Sequence, residues 1–465
     1  MDPTTVAAPA RRRGSPLINR NYARLWGGQL VSNLGDYVFD TTLVVWIAVV
    51  LAKGQPWAPL AVSGIFVAAT VPVLLIGSFA GVFVDRWDKR RTMLIMDATR
   101  AVLVLLLLVL AAGVVPLPFV AGGTLPLEAR LATIYAIVFL ASACAQFFNP
   151  SRSAIIASIV DEEQQPQASS LGQVSFALAT IVGPPLAAPL LFAFGVQWAL
   201  LIDAASFAIS FLAISSIRVS RETTSPDGHE RSSLLREYGA GLRFFFGNRV
   251  LRTILFAIVF TGFGAGALNA LDVFFFTNNL HTPAQYYGFA GAAYAAGALI
   301  GAVIGGLFAR QLGLTRMVWL SLLLLGIGMG VFSRLTSFAP AIPILFLTGI
   351  PQATLNIAVG PIFMRITPRH LLGRVVAIIQ PALTVTLLIS TALAGYLASN
   401  VLRGFSETVG GITFGPLDTI FGCAALLLLV GGLYAMVNLR GVTLPSTATR
   451  PAAEVPAAEA AATVG

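Results

Sequence analysis

The sequence predicts an all-α integral membrane protein of about twelve transmembrane helices, built as two pseudo-symmetric six-helix bundles, and three observations carry that prediction. Hydrophobic residues make up 57% of the 465 and charged residues 11%, whereas a soluble domain carries roughly 25% charged residues. A globule of this size cannot hide so much apolar surface. The apolar residues also come in continuous blocks of about 20, the length that crosses a hydrocarbon core about 30 Å thick. Lipid offers backbone N–H and C=O groups no partner, so such blocks must be helices or a closed barrel, and unbroken rather than alternating hydrophobicity selects helices. Finally, the basic residues fall on one side of the resulting topology.

Taken in order, the apolar blocks predict spans near 24–50, 58–84, 92–113, 131–149, 169–192 and 198–217, then near 251–276, 287–309, 317–337, 341–364, 375–399 and 416–438. With the N-terminus cytoplasmic, about 24 of the 29 Lys and Arg fall in inside segments, and four (Lys53, Arg130, Arg334 and Arg403) fall outside. A single mis-split block would reverse every later loop and destroy this asymmetry. The organisation that follows is a cytoplasmic tail over 1–20, a bundle over 21–217, a linker over 218–250, a second bundle over 251–440 and a disordered cytoplasmic tail over 441–465. Within the linker, Pro226-Asp227-Gly228 reads as a turn and Leu234 to Phe246 as an amphipathic surface helix.

The formal charge of +9 does not imply nucleic acid, because its placement follows membrane topology. Cys144 and Cys423 lie inside apolar runs and read as small packing residues. The segment around Arg11, Arg12 and Arg13 is polar and has no short apolar region with a cleavage site, so no removable signal peptide is expected. His229, His281 and His370 are scattered in loops. No metal-ligand cluster, nucleophile arrangement or phosphate-binding glycine loop is present, so neither a catalytic residue nor a cofactor is expected.

The two halves echo each other. Asn19-Arg20 precedes the first span and Asn248-Arg249 the seventh; at the same offset Ser32 meets Thr261 and Gly35 meets Gly264. After the second and eighth spans, Gly81 through Asp85-Arg86-Trp87-Asp88 has a decayed counterpart in Gly306 through Arg310-Gln311-Leu312-Gly313. Matches at topologically equivalent places are what duplication of a six-span unit produces.

Gly81-Val82-Phe83-Val84-Asp85-Arg86-Trp87-Asp88-Lys89-Arg90-Arg91 resembles the loop motif of the major facilitator superfamily, Gly-x-x-x-Asp-Arg/Lys-x-Gly-Arg-Arg/Lys, and lies where that family keeps it. Further stretches are similar to the branch holding macrolide-efflux proteins and the enterobactin exporter. These are Asn19-Arg20-Asn21 with Leu25-Trp26, Gln29, Ser32 and Leu34-Gly35-Asp36; Asn149-Pro150-Ser151-Arg152 through Ile159-Val160 closing span four; and Leu201-Ile202-Asp203 with Ser206-Phe207. The chain departs from the family pattern at Asp88 and Lys89. Span four also offers Gln146 without the Arg of the antiporter Arg-x-x-Gln-Gly motif. In span five Gly183-Pro184 is kept as a helix-packing motif, with Ala179, Ala187 and Ala188 where glycines are usual.

A charge at membrane depth costs roughly 2.5–3.5 kcal/mol on insertion scales, so every acid in a span needs a reason. Asp36 and Asp40 stand four apart on one face of span one, and a carboxyl that gains and loses a proton as a cavity changes sides is the simplest coupling device. The plainer alternative has Asp36 bonding helix ends or an Arg. Asp272, one turn past Asn269, is the acid of the second half. The resemblance implies that it faces Asp36 and Asp40 across a central cavity, the alternative being a residue at the membrane interface. Gln29, Asn33, Gln146, Asn269, Asn356 and Gln380 are available for substrate contacts or for interhelical hydrogen bonds. From the loop motif, Asp85 is expected to latch the halves near Gly373-Arg374 at the start of span eleven. Arg86, Lys89, Arg90 and Arg91 would meet lipid phosphates or carboxylates, Gly81 would permit close helix contact, and Arg152 and Arg374 would be charged partners. Asp97 and Arg100 read as an intramembrane pair, Asp203 as an interface residue, and Pro72, Pro184-Pro185 and Pro381 as bends.

These residues lead to an expected function. The chain would be a monomeric secondary transporter in a bacterial cytoplasmic membrane, with both termini cytoplasmic, exporting amphipathic or hydrophobic small molecules by proton antiport through alternating access. Import or facilitated diffusion of a metabolite is one alternative; a non-transporting sensor or assembly partner that keeps the fold is another.

Overall fold

The computed structural model describes residues 17–111, 113, 124–218, 243–368 and 371–442. Both tails and most of the linker, including Pro226-Asp227-Gly228 and Leu234 to Leu242, lie outside the described residues. Among those described, twelve helices are long and apolar enough to cross a membrane. They are Arg20–Leu51, Ala58–Leu75, Lys89–Leu110, Leu127–Ile159, Glu162–Phe194, Val196–Ser215, Arg249–Asn279, Ala284–Ala309, Leu314–Phe332, Phe338–Ile366, Ile378–Val401 and Pro416–Leu439, numbered here as spans one to twelve.

The duplicated sequence signals do equivalent jobs. Asn19 caps span one by accepting from the Tyr22 N–H at 2.8 Å, and Asn248 caps span seven by accepting from the Val250 N–H at 2.9 Å. Gly35 packs against Ser206 of span six, and Gly264 against Leu428 of span twelve. Spans one and seven both finish in a π-helical turn at matching places, Trp46–Leu51 and Phe275–Asn279.

Packing repeats the same symmetry. Span one packs on five and six, and span three on four and six, with two against four; seven packs on eleven and twelve, and nine on ten and twelve, with eight against ten. The halves meet through spans two and eleven and through spans five and eight. These contacts lie toward the loops bearing Lys53, Arg130 and Arg334, called here the opposite face. There the Ser399 hydroxyl accepts from the Leu60 N–H at 3.1 Å, Gly395 lies against Ser63, and Gly288 lies against the Pro184 carbonyl. At the basic face, which carries Arg86, Lys89, Arg90, Arg316 and Arg440, the picture reverses. A side chain added at Gly27, Gly81, Gly172, Gly306 or Gly360 would meet nothing within 4 Å. The two halves therefore join toward the opposite face and part toward the basic face.

Two helices differ from the expected spans. Span two breaks at Ile76, one turn past Pro72, and resumes as Gly77–Arg86 packed on span four. Span four runs past the bound at 149 that its apolar block predicts and ends at Ile159, where the stretch from Asn149 through Ile159-Val160 closes it. The Ser151 and Ser153 hydroxyls donate to the Phe147 and Asn149 carbonyls at 2.9 and 3.1 Å, supporting the turn around Pro150. Spans five and six turn about Gly195 alone, whose φ of 89° suits glycine and strains any other residue.

Candidate functional site

Span one carries Gln29, Asn33 and Asp36 at helical spacing, so all three point the same way. They open into a cavity of about 810 Å³ inside the N-terminal half, whose other walls come from Arg100 of span three, Phe148, Asn149 and Arg152 of span four, and Gln173 and Phe176 of span five. The extension of span four past Pro150 is what brings Arg152 into this wall. Its guanidinium donates to Gln29 Oε1 at 3.3 Å, and Gln29 Nε2 donates to the buried Ser210 hydroxyl at 3.0 Å. Arg100 bridges Asp97 at 2.5 Å, as the sequence suggests, and its guanidinium lies 4.6 and 4.3 Å from the ring centres of Phe148 and Phe207. Asp36 has Arg100, Asp97 and Arg152 among its charged neighbours, whereas Asp40, one turn on and exposed, has the carboxylates of Asp36 and Asp203.

Several expected roles change. Arg152 was expected at the loop-motif latch and instead lines this cavity, because the helix continues past Pro150. Asp203 was expected at the interface. It is 1% exposed at mid-span, with Oδ1 sealed and without a partner, and a Cβ on Gly35 would stand 2.9 Å from that oxygen. The signal that would have found it is the stripe Asp203, Ser206 and Ser210, which faces span one at helical spacing. Gln146 does not line the cavity. Its amide donates to the Ser142 carbonyl at 3.1 Å and sits beside Gly77.

The C-terminal half holds a separate cavity of about 240 Å³, lined by Asn269, Asp272, Tyr294, Phe332, Thr348 and Gln352 among others. Asp272 thus lines a different cavity from Asp36; Tyr287 of span eight is its polar neighbour, and its Oδ1 stays sealed without a hydrogen-bond partner. Asn356 accepts from Gln352 Nε2 at 3.4 Å and is exposed, as is Gln380.

In the loop motif, Asp85 and Arg86 are exposed, and Lys89 Nζ donates to the Asp85 carbonyl at 2.9 Å. The Arg90 guanidinium caps span six, donating to the Ile214 carbonyl at 3.2 Å and to the Ser215 carbonyl. Asp88, where the family motif has glycine, caps span three by accepting from the Arg91 N–H at 2.8 Å. Gly81 has no close helix beside it, because the halves are apart at this face. The side chain of Arg374 lies outside the described residues. Gly183 packs against Tyr37 of span one, and the Pro184 carbonyl against Gly288 of span eight.

A family model described as a transmembrane secretion effector matches residues 13–459. The chain is 24% identical over 373 residues to YkuC of Bacillus subtilis, an uncharacterized MFS-type transporter, covering 78% of this chain and 82% of that one. It is 26% identical over 330 residues to the multidrug efflux pump Tap of Mycobacterium tuberculosis, covering 67% and 72%. To macrolide efflux protein A of Streptococcus pyogenes it is 22% identical over 307 residues, covering 66% and 71%. Among solved structures, the nucleoside transporter NupG superposes with a TM-score of 0.66 at 14% identity, covering 91% of this chain and 100% of that one. A bacterial homologue of the iron transporter ferroportin in its inward-facing state superposes with a TM-score of 0.65 at 12% identity, covering 90% and 99%.

Proposed function

Because the chain belongs to the transmembrane secretion effector family of major facilitator transporters, we propose that it exports amphipathic or hydrophobic small molecules, drug-like, macrolide-like or siderophore-like, in exchange for protons. The basic face is cytoplasmic by the positive-inside rule, both termini lie on that side, and the membrane is a bacterial cytoplasmic membrane. The observation that carries the reading is the polar cavity of about 810 Å³ in a molecule whose halves join toward the opposite face and part toward the basic one. That arrangement is loaded from the cytoplasm, and rocking about the midplane delivers the cargo outward.

Roles divide by environment. Asp36, beside Arg100 and Arg152, serves as a counter-ion in the cavity; Asp40, whose charged neighbours are other carboxylates, and Asp272, with Tyr287, carry the exchanged protons. When the basic face closes, Gly81 lets span two approach span eleven, and Asp85 latches at the N-terminal end of that span.

Cells expressing the chain are expected to accumulate less of a fluorescent dye or radiolabelled macrolide drawn from a panel than cells without it, with a protonophore abolishing the difference. Asp40→Asn and Asp272→Asn are expected to stop proton-driven efflux while leaving energy-independent exchange of the same compound. Retained proton-driven efflux in both variants, and in Asp36→Asn, removes the coupling scheme; clear uptake that ignores the gradient makes the protein an importer.

A further inference from the structure

A guanidinium stays charged at any accessible pH, so one inside a membrane-embedded cavity needs an anion or several acceptors. Arg152 has neither. Among the described residues its hydrogen bond is a 3.3 Å contact to the neutral amide of Gln29, and no carboxylate comes within 4 Å of it. Arg100 is different: it is matched by Asp97 and held between two aromatic rings, so it adds positive field to the cavity without offering itself to a ligand. The titratable groups turned toward Arg152 are Asp36 of span one and Tyr22, whose hydroxyl is committed to the Ala168 carbonyl at 2.7 Å. The same cavity is lined by the ring of Phe176, the indole of Trp26 and the amide of Asn149. A cation with spare donors, an apolar wall and a neutral hydrogen-bonding group suit one kind of guest.

We propose that Arg152 is the anchor of a binding site for the acidic head group, carboxylate, sulfonate or phosphate, of an amphipathic molecule whose apolar part lies along Trp26 and Phe176. For the guest to be cargo, this inference rests on the export reading above; the site itself does not. Asp36 is the carboxylate among the residues that line this cavity, and Arg152 is one of its charged neighbours beside Arg100, so it competes with the guest for Arg152. The competition has a sign. Removing the Asp36 charge tightens the guest, and removing the Arg152 charge releases it, which is the reverse of what a cation site built on Asp36 would show.

The test uses the full chain in zwitterionic lipid nanodiscs and two fluorescent probes with one ring system: 1-anilinonaphthalene-8-sulfonate, and the neutral N-phenyl-1-naphthylamine, which lacks the sulfonate. Arg152→Gln is expected to weaken the sulfonate at least about tenfold, the loss of one charge-assisted hydrogen-bonding group, and to leave the neutral probe unchanged. Arg152→Lys restores part of that loss, and Asp36→Asn tightens the sulfonate. Equal weakening of both probes by Arg152→Gln, or weaker sulfonate binding in Asp36→Asn, overturns the site. Adding phosphatidylglycerol to the discs separates the two sources of such a head group: unchanged sulfonate affinity keeps the guest as cargo, whereas competition overturns that assignment in favour of a bound lipid. Sulfonate that binds as expected but is never moved across proteoliposomes defeats the export reading and leaves the site standing.

Discussion

Asp97 and Arg100 illustrate why charges three residues apart in a lipid-embedded helix are hard to replace. Their bridge is buried, with 0% and 7% of the two residues exposed, and Asp97 Oδ2 and Arg100 Nε are sealed without a further partner. Such a pair adds little net stability, because desolvation offsets most of its attraction, yet removing one member strands the other. Asp97→Asn is therefore expected to cost about 3–5 kcal/mol, seen as a lower melting temperature of the detergent-solubilised protein, and Asp97→Leu combined with Arg100→Met to recover most of that loss. A double variant no better than the single one would mean that the rings of Phe148 and Phe207, rather than Asp97, hold the guanidinium. This pair could be read from spacing alone, since one turn of helix fixes who meets whom. Arg152 could not, because its surroundings depend on how far span four runs past Pro150, which no local pattern states, whereas Asp203 needed the Ser206 and Ser210 stripe to be read with it.

Helices meet across the seam at glycines, and the seam is one-sided. At the opposite face Gly288 lies so close to the Pro184 carbonyl, and Gly395 to Ser63, that a single methyl would overlap them, while at the basic face Gly81 has open space. The substitutions should act in opposite senses. Gly288→Val or Gly395→Val wedges the opposite face apart and raises the labelling rate of a cysteine placed at Leu60, whereas Gly81→Val leaves that labelling unchanged and blocks transport by hindering closure of the basic face. Equal labelling in the Gly288 variant would mean that spans five and eight are not a closing surface. The spans were legible because continuous hydrophobicity, basic-residue asymmetry and two capping asparagines all reported one period of duplication. The break at Ile76 was not, since Pro72 and the apolar run around it read equally well as one bent helix.

Duplication gave the molecule two halves with one packing scheme, and divergence gave them different interiors. Toward the opposite face the C-terminal half is stapled: Arg334 bridges Asp418 at 3.2 Å, Asn279 donates to the same carboxylate, and the ring centre of Phe275 lies 4.7 Å from that of Phe332, tilted, and 5.2 Å from that of Phe421, edge-on. The N-terminal half instead keeps its polar side chains around a wide cavity. On the proposed exchange, a stapled half bearing Asp272 and a hollow half bearing Arg152 and Asp40 would divide proton and cargo chemistry between the two halves, so that one swing would expose both to the same face. This has an electrical consequence. If one proton enters as one acid-headed molecule leaves, two elementary charges cross per cycle, and at about 2.3 kcal/mol per charge per 100 mV a membrane potential of that size contributes about 5 kcal/mol, on the order of a thousandfold in the attainable gradient. A neutral cargo moving against one proton would gain about half that free energy, a factor of about fifty. In proteoliposomes clamped by a potassium diffusion gradient with valinomycin, at equal pH on both sides, export of an amphipathic sulfonate should steepen with a negative potential on the cytoplasmic side twice as sharply as export of a neutral analogue. A sulfonate flux that ignores the potential would show that the cycle moves no net charge, and would break the link between the anion site and the proton exchange.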